Sequence, residues 1–122
     1  MATYRLLVVD DSAALLSIIG AYLKGSAYDV VATARDGEAG VERFRRFRPD
    51  AVLLDVVMPG GGGTEALKAI RTEDPAAVVG MMSSFGTEDV VAECRRAGAG
   101  GFLHKPFSRD DLLAFLGTLL GS

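Results

Sequence analysis

Short apolar runs alternate along the chain with segments in which apolar residues recur at helical spacing. The runs are five or six residues long and mostly apolar on both faces, which is typical of strands buried inside a parallel sheet. We predict strands at 5–9, 29–34, 51–55, 78–83 and 100–104. The helical segments begin at Ser, Thr, Asp or Gly residues and end near Gly or Pro. They are predicted at about 12–25, 37–48, 64–73, 87–97 and 108–120.

Strands that alternate with helices in this way predict an α/β fold with a parallel sheet and right-handed crossovers. The 122 residues are enough for one domain with a buried core. Because no linker or repeat divides them, we expect a single domain over residues 1–122. The four glycines at 60–63 predict a loose loop after the third strand.

Composition and charge exclude several classes of function. A net charge of −3 and a pI near 5.1 give no support for direct nucleic-acid binding. No apolar stretch approaches the length of a membrane span, so membrane insertion is not expected. The one cysteine, Cys94, excludes an internal disulfide and fits a reducing, cytoplasmic location. Its helical context predicts a small half-buried hydrophobe rather than a nucleophile.

Polar side chains collect at the carboxyl ends of the predicted strands. Asp10 and Asp11 follow the first strand, Asp55 ends the third, Ser83 ends the fourth, and Lys105 follows the fifth. Open α/β sheets place their ligand crevice at this edge. Three carboxylates brought together repel one another unless a cation joins them, and Mg²⁺ prefers carboxylate and carbonyl oxygens. A lysine and a hydroxyl beside such an ion can hold the oxygens of a phosphoryl group.

This combination resembles the receiver domain of two-component response regulators over essentially the whole chain. The resemblance rests on four motifs, which are Asp10-Asp11, Asp55 followed by Met58-Pro59, Ser83, and Lys105-Pro106-Phe107. It implies a (βα)5 three-layer sandwich of the flavodoxin-like or CheY-like type, with a five-stranded parallel sheet of order 2-1-3-4-5.

The resemblance also implies the chemistry of the site. Asp55 would accept a phosphoryl group from the phosphohistidine of a histidine kinase or a histidine phosphotransfer protein. Asp11, Asp55 and the backbone carbonyl of Val57 would bind Mg²⁺, and Asp10 would support the ion directly or through water. Lys105 would pair with Asp55 and then with the phosphoryl oxygens. The chain would thus be a phosphoacceptor signalling domain rather than an enzyme.

A second set of residues would pass the signal on. Ser83 would hydrogen-bond the phosphoryl group and draw the following loop after it, and Phe102 would act as the rotameric switch, unless it is plain core. The fourth helix, fifth strand and fifth helix would then contact a downstream protein or a second copy. Leu16 is expected to meet the kinase, whereas Leu113 or Leu120 would serve the target or dimer face. His104 is expected at the surface or behind the site.

The resemblance places two apolar residues beside the path of a hydrolytic water. Val57 stands two residues after Asp55, and Phe85 stands two residues after Ser83. Neither side chain can orient a water by hydrogen bonding, so we expect slow loss of the phosphoryl group. The alternative is that Phe85 merely packs near Phe102 while water enters elsewhere.

Three other interpretations share some of these features. The chain could be a receiver excised from a larger regulator or from a hybrid histidine kinase. A phosphatase with an Asp nucleophile and Mg²⁺ would have a second Asp two residues after the nucleophile, where this chain has Val57. A flavin-binding module of the same topology would have a hydroxyl-rich phosphate loop after the first strand, which is not present.

Overall fold

A computed structural model describes residues 3–58 and 62–121, and it confirms the predicted α/β architecture. The strands are β1 (Tyr4–Val9), β2 (Tyr28–Ala34), β3 (Ala51–Asp55), β4 (Val79–Ser83) and β5 (Gly101–His104). The helices are α1 (Ala13–Leu23), α2 (Gly37–Phe47), α3 (Gly63–Glu73), α4 (Glu88–Arg96) and α5 (Arg109–Leu120). Each element ends within two residues of its predicted bounds.

The sheet has the order β2-β1-β3-β4-β5, and all its strand pairs are parallel. This is the order that the resemblance implied. All the carboxyl ends therefore lie at one edge, and the direction in which the chain is wound changes between β1 and β3. The end of β3 lies between those of β1 and β4, so Asp55 has a strand end on either side of it.

Two apolar clusters cover the two faces of the sheet. Alternate strand residues such as Leu7 and Leu54 face α2, α3 and α4. Their neighbours, such as Leu6 and Leu53, face α1 and α5. All five residues of β3 are buried, which explains why its sequence is apolar throughout and makes it a rigid support for Asp55.

Polar caps begin four of the helices. The Ser12 side chain caps α1 by accepting a hydrogen bond from the Leu15 amide (3.2 Å). Asp36, Thr87 and Ser108 cap α2, α4 and α5 in the same way. Asp11, directly before Ser12, is also a residue type that caps helices. Because Ser12 fills that role, the Asp11 carboxylate is not needed to begin the helix.

The structure adds two facts about helix packing. The helical spacing of α1 favours a buried Ile18, but this residue is 44% exposed. Leu16, Leu113 and Leu120, the residues expected to contact partners, are half-buried against the cluster beneath α1 and α5. They keep some exposed surface, so their contacts with partners stay a prediction.

The glycine loop is not uniformly loose. Pro59, Gly60 and Gly61 lie outside the described residues. The Gly63 amide donates to the Val56 carbonyl (2.9 Å), and a Cβ at Gly63 would overlap the carbonyl oxygen of Asp55. Gly63 is thus pressed against the strand end that carries Asp55. Within the described ranges, no helix is both long enough and apolar enough to cross a membrane.

Candidate functional site at the carboxyl edge of the sheet

Asp55 lies at the centre of the polar edge and is 5% exposed. Burial raises the pKa of its carboxyl group, and the negative charge of Asp10 raises it further. The positive charge of Lys105 opposes that rise, and hydrogen bonding to the carboxylate by Lys105 and by the backbone amide of Val57 lowers the pKa further. The ionised form of Asp55 is therefore unfavourable in free energy unless a cation binds beside it.

Lys105 joins the two buried carboxylates. Its Nζ lies 2.6 Å from Oδ2 of Asp10 and 3.4 Å from Oδ1 of Asp55. The shorter contact is thus with Asp10, and the pairing with Asp55 that the resemblance implied is the longer one. The Lys105 amide donates to the Ser83 carbonyl (2.9 Å), which extends the pairing of β4 with β5. This hydrogen bond fixes the position of the Lys105 backbone.

Asp10 is fully buried, and both of its carboxylate oxygens have partners. Oδ2 accepts from Lys105, and Oδ1 accepts from the Ser12 amide (2.9 Å). A buried carboxylate is stable only with such compensation. Asp10 therefore anchors both the lysine and the start of α1.

Asp11 is the most exposed of the three acidic residues. Its backbone carbonyl accepts hydrogen bonds from Nη2 (2.9 Å) and Nε (3.3 Å) of Arg35, which follows β2. Arg35 belongs to none of the motifs that carry the resemblance. Its position directly after a strand was the available signal, but only the order of β2 and β1 shows that it reaches Asp11.

The three carboxylates suit a divalent cation. One oxygen each from Asp10, Asp11 and Asp55 lies within 4.8 Å of the others. Carboxylate oxygens are the ligands that Mg²⁺ and Ca²⁺ prefer. Since Lys105 lies closest to Asp10, the oxygens left for an ion come mainly from Asp11 and Asp55.

Ser83 is 1% exposed, and its Oγ accepts a hydrogen bond from the Phe85 amide (2.9 Å). The hydroxyl is therefore tied to the loop that leads into α4. Phe102, two residues before the end of β5, is half-buried against the cluster that faces α4. Its ring lies 5.2 Å from that of His104, measured between centroids.

Two apolar side chains stand at the open side of this edge. Val57 is 58% exposed, and Phe85 is 69% exposed. Each lies two residues from a buried polar group, Val57 from Asp55 and Phe85 from Ser83. The edge thus combines a buried polar centre with exposed apolar residues on the loops after β3 and β4.

Comparison with known proteins agrees with this geometry. The family model for the response regulator receiver domain matches residues 6–116. The chain belongs to the response regulator receiver domain family. Receiver domains act in two-component signalling, and phosphorylation of an aspartate is their general mechanism.

Individual relatives support the same assignment. The chemotaxis protein CheY of Listeria monocytogenes is 38% identical over 112 residues, covering 92% of this chain and 94% of that protein. A crystal structure of a CheX–CheY complex with BeF3 and Mg²⁺ from Borrelia burgdorferi has a TM-score of 0.93 and 30% identity, covering 97% of this chain and 90% of the other. The response regulator domain of Thermotoga maritima CheB has a TM-score of 0.90 and 32% identity, with 98% of each chain covered.

Proposed function

We propose that Asp55 of this receiver accepts a phosphoryl group from a phosphohistidine on a histidine kinase or histidine phosphotransfer protein. The observation that carries the proposal is the position of Asp55. It is a buried carboxylate at the end of the central strand, grouped with Asp10 and Asp11 and 3.4 Å from the ammonium of Lys105. Receiver domains interact with histidine kinases as a family.

In the transfer, a carboxylate oxygen of Asp55 attacks the phosphorus atom. An O–P bond forms as the P–N bond to the imidazole breaks, and the imidazole nitrogen leaves with the electron pair. The ammonium group of Lys105 can contact the phosphoryl oxygens after transfer, because its Nζ already lies near both Asp10 and Asp55. Such a reaction needs mainly positioning and positive charge from the protein.

Asp11 and Asp55, with the backbone carbonyl of Val57, are the proposed Mg²⁺ ligands. Asp10 is proposed to act through water, since both of its oxygens already accept hydrogen bonds. When bound there, Mg²⁺ would keep Asp55 ionised and offset the charge of the transferring group. Arg35 would hold the Asp11 peptide in place during this exchange.

Ser83 is the proposed sensor of the phosphoryl group. Because the Phe85 amide donates to its Oγ, a hydroxyl that turns toward the acyl phosphate pulls the loop after β4 with it. Phe102, on the neighbouring strand, is the proposed aromatic switch. The face of α4, β5 and α5 would then change its contacts with a downstream protein or with a second copy of the chain.

We further propose that the phosphorylated form loses its phosphoryl group slowly by itself. Val57 and Phe85 are exposed beside Asp55 and Ser83, where a hydrolytic water must pass, and neither can hydrogen-bond that water. Ending the signal would then depend on a partner phosphatase or on back-transfer to the kinase.

A receiver that works without an output domain is the preferred form of this proposal. The Listeria CheY aligns with this chain along nearly its whole length, which favours a similar role in the cytoplasm. A receiver within a larger regulator is the second candidate, because the Thermotoga CheB domain is also similar in fold, with a TM-score of 0.90.

The test is the intact mass of the protein after incubation with acetyl phosphate and Mg²⁺. Wild type should gain one phosphoryl group, and Asp55→Asn should gain none. Asp29→Asn is the matched control, because Asp29 is exposed and lies near the opposite end of the sheet. A phosphoryl group on Asp55→Asn, or none on wild type, would contradict the proposal.

A further inference from the structure

His104 contacts the loop that Ser83 controls. It is an exposed residue at the end of β5 and the register partner of Ser83 on β4. Its ring and that of Phe102 are tilted by 49° with their centroids 5.2 Å apart, which is a favourable aromatic arrangement. The two side chains share one side of β5 because they are two residues apart.

This ring pair packs against the loop at Gly86. A Cβ built on Gly86 would overlap the His104 ring and would lie 3.1 Å from Cε1 of Phe102. Only a glycine allows the loop to come this close to both rings. Gly86 directly follows Phe85, whose amide is bonded to the Ser83 hydroxyl. The hydroxyl, the loop and the two rings are therefore linked by consecutive contacts.

We propose that His104 is a positioning residue that holds the β4–α4 loop in its resting place through Gly86 and Phe102. The inference rests on the proposed function, in which Ser83 draws this loop toward Asp55. In the proposed movement, residues 84–86 follow the hydroxyl of Ser83 and lose their contact with the His104 ring. The His104 contact thus opposes loop movement and sets how much phosphoryl binding is needed to free Phe102.

The sign of the effect follows from linkage. The His104 contact stabilises the resting arrangement of the loop and is lost in the activated arrangement. It therefore lowers the affinity for any ligand that binds only the activated arrangement. An aromatic pair contributes enough to change such a population about 2- to 10-fold. Removing the His104 ring should therefore raise the affinity for a phosphoryl mimic by about that factor.

The experiment is titration of the protein with beryllium trifluoride, a mimic of the acyl phosphate, in saturating Mg²⁺. Binding is followed by ¹⁹F NMR, and the Phe102 ring is followed by ¹³C-aromatic NMR. His104→Ala should bind about 2- to 10-fold more tightly than wild type. Its Phe102 signals should already lie closer to those of the loaded protein before the mimic is added.

Tyr4→Leu is the matched control. It removes a comparable ring pair, Tyr4 with Tyr28, whose centroids are 5.7 Å apart at the opposite end of the sheet. Its affinity for the mimic should equal that of wild type. An unchanged or weaker affinity in His104→Ala, or an equal gain in Tyr4→Leu, would overturn the proposal.

Gly86→Ala provides a second, independent variant. The added methyl should push the His104 ring away and raise the affinity in the same direction. The double variant should then resemble the single ones, since both remove one contact. A double variant whose gain is the product of the two single gains would overturn the proposal, because His104 and Gly86 would then act separately.

If wild type is not phosphorylated on Asp55 at all, the proposed function fails. If wild type is phosphorylated and His104→Ala changes nothing, only this inference fails.

Discussion

The buried carboxyl group of Asp55, the proposed phosphoacceptor, lowers the stability of the fold when it is ionised. Its pKa is raised above the ordinary value of 3.8, first by burial and then by Asp10, so the folded state binds its proton more tightly than the unfolded state does. Because the pKa of Asp55 is raised in the folded state, the free energy of unfolding falls as the pH rises from below 3.8 through the raised pKa. It stays lower at neutral pH. Asp10 would keep Lys105 paired if the Asp55 charge were removed.

We therefore expect Asp55→Asn to melt higher than wild type at pH 7 without metal, by about 3–8 °C. The gain should vanish below pH 3.8, where the wild-type carboxyl is protonated in both states. Mg²⁺ should stabilise wild type strongly and the variant weakly, since a proposed ligand is lost. Thermal melts over pH, with Asp29→Asn as the control, measure this. Equal stabilisation of both proteins by Mg²⁺ would remove Asp55 from the ligand set.

Val57 and Phe85 carry the prediction about lifetime. Val57→Asn and Phe85→Glu each place a hydrogen-bonding group beside the proposed path of the hydrolytic water, and together they should speed loss of the phosphoryl group by about 10- to 100-fold. The decay of phosphoprotein in Mg²⁺, followed by intact mass, measures the rate. Ile18→Asn is the control, because Ile18 is an exposed apolar residue on α1. Decay in the double variant at the wild-type rate would mean that Phe85 merely packs on its loop.

At the scale of single residues, the strand-end positions were predictable and the pairings were not. Asp55, Ser83 and Lys105 follow from where apolar runs stop, because parallel strands end at one edge. That Lys105 lies nearer to Asp10 than to Asp55 depends on side-chain rotamers and on which strand lies opposite. Arg35 was missed for the same reason, since its contact with Asp11 appears only when β2 is placed beside β1.

The start of α3 packs directly against the end of β3, the strand that carries Asp55. Gly63→Ala would place a methyl group against the carbonyl of Asp55, and backbone atoms cannot move aside cheaply. We expect a loss of at least about 2 kcal/mol in the free energy of unfolding. Gly20→Ala is the matched control in the middle of α1, where nothing lies within 4 Å of the new Cβ. It should gain about 0.5–1 kcal/mol through helix propensity.

Urea denaturation of both variants measures these changes. A Gly63→Ala protein as stable as wild type would show that the loop before α3 can retreat from the strand end. The four glycines at 60–63 predicted looseness from composition alone. Composition could not show that Gly63 is needed for a close approach, because that approach depends on how α3 packs onto β3.

Helix faces were predicted less well than helix bounds. The apolar residues of α1 surround much of the helix, so helical spacing alone did not select the face that meets the sheet. α1 also contacts α5, and this pairing leaves Ile18 outside and Leu16 half-buried.

A second feature visible only in the fold is the pair Gly80 and Gly101 on neighbouring strands, where added Cβ atoms would press on the ring of Phe115. Small residues in register there let α5 lie close to the sheet.

For the molecule as a whole, the exposed apolar side chains are the candidate contacts for the proposed phosphoryl donor. Among the described residues, the exposed large hydrophobic side chains are Ile18, Val57 and Phe85. α1 begins at the carboxyl edge of the sheet, and the loops that carry Val57 and Phe85 lie at that same edge. A protein that brings its phosphohistidine to Asp55 must cover this edge. Exposed apolar residues beside a reactive group are suited to such a contact.

We therefore expect Ile18→Glu to slow phosphotransfer from the phosphorylated cognate kinase or phosphotransfer protein about 10-fold, which is the effect of losing one well-packed contact. Labelling by acetyl phosphate should be unchanged, because that small donor needs no docking surface. Ala114→Glu, an equivalent change at an exposed position of α5, should leave both reactions at the wild-type rate. Single-turnover transfer assays with both donors separate the outcomes. If Ile18→Glu slowed both donors equally, the substitution would act on the Asp55 site itself rather than on docking, and if it slowed neither, the donor would approach without α1.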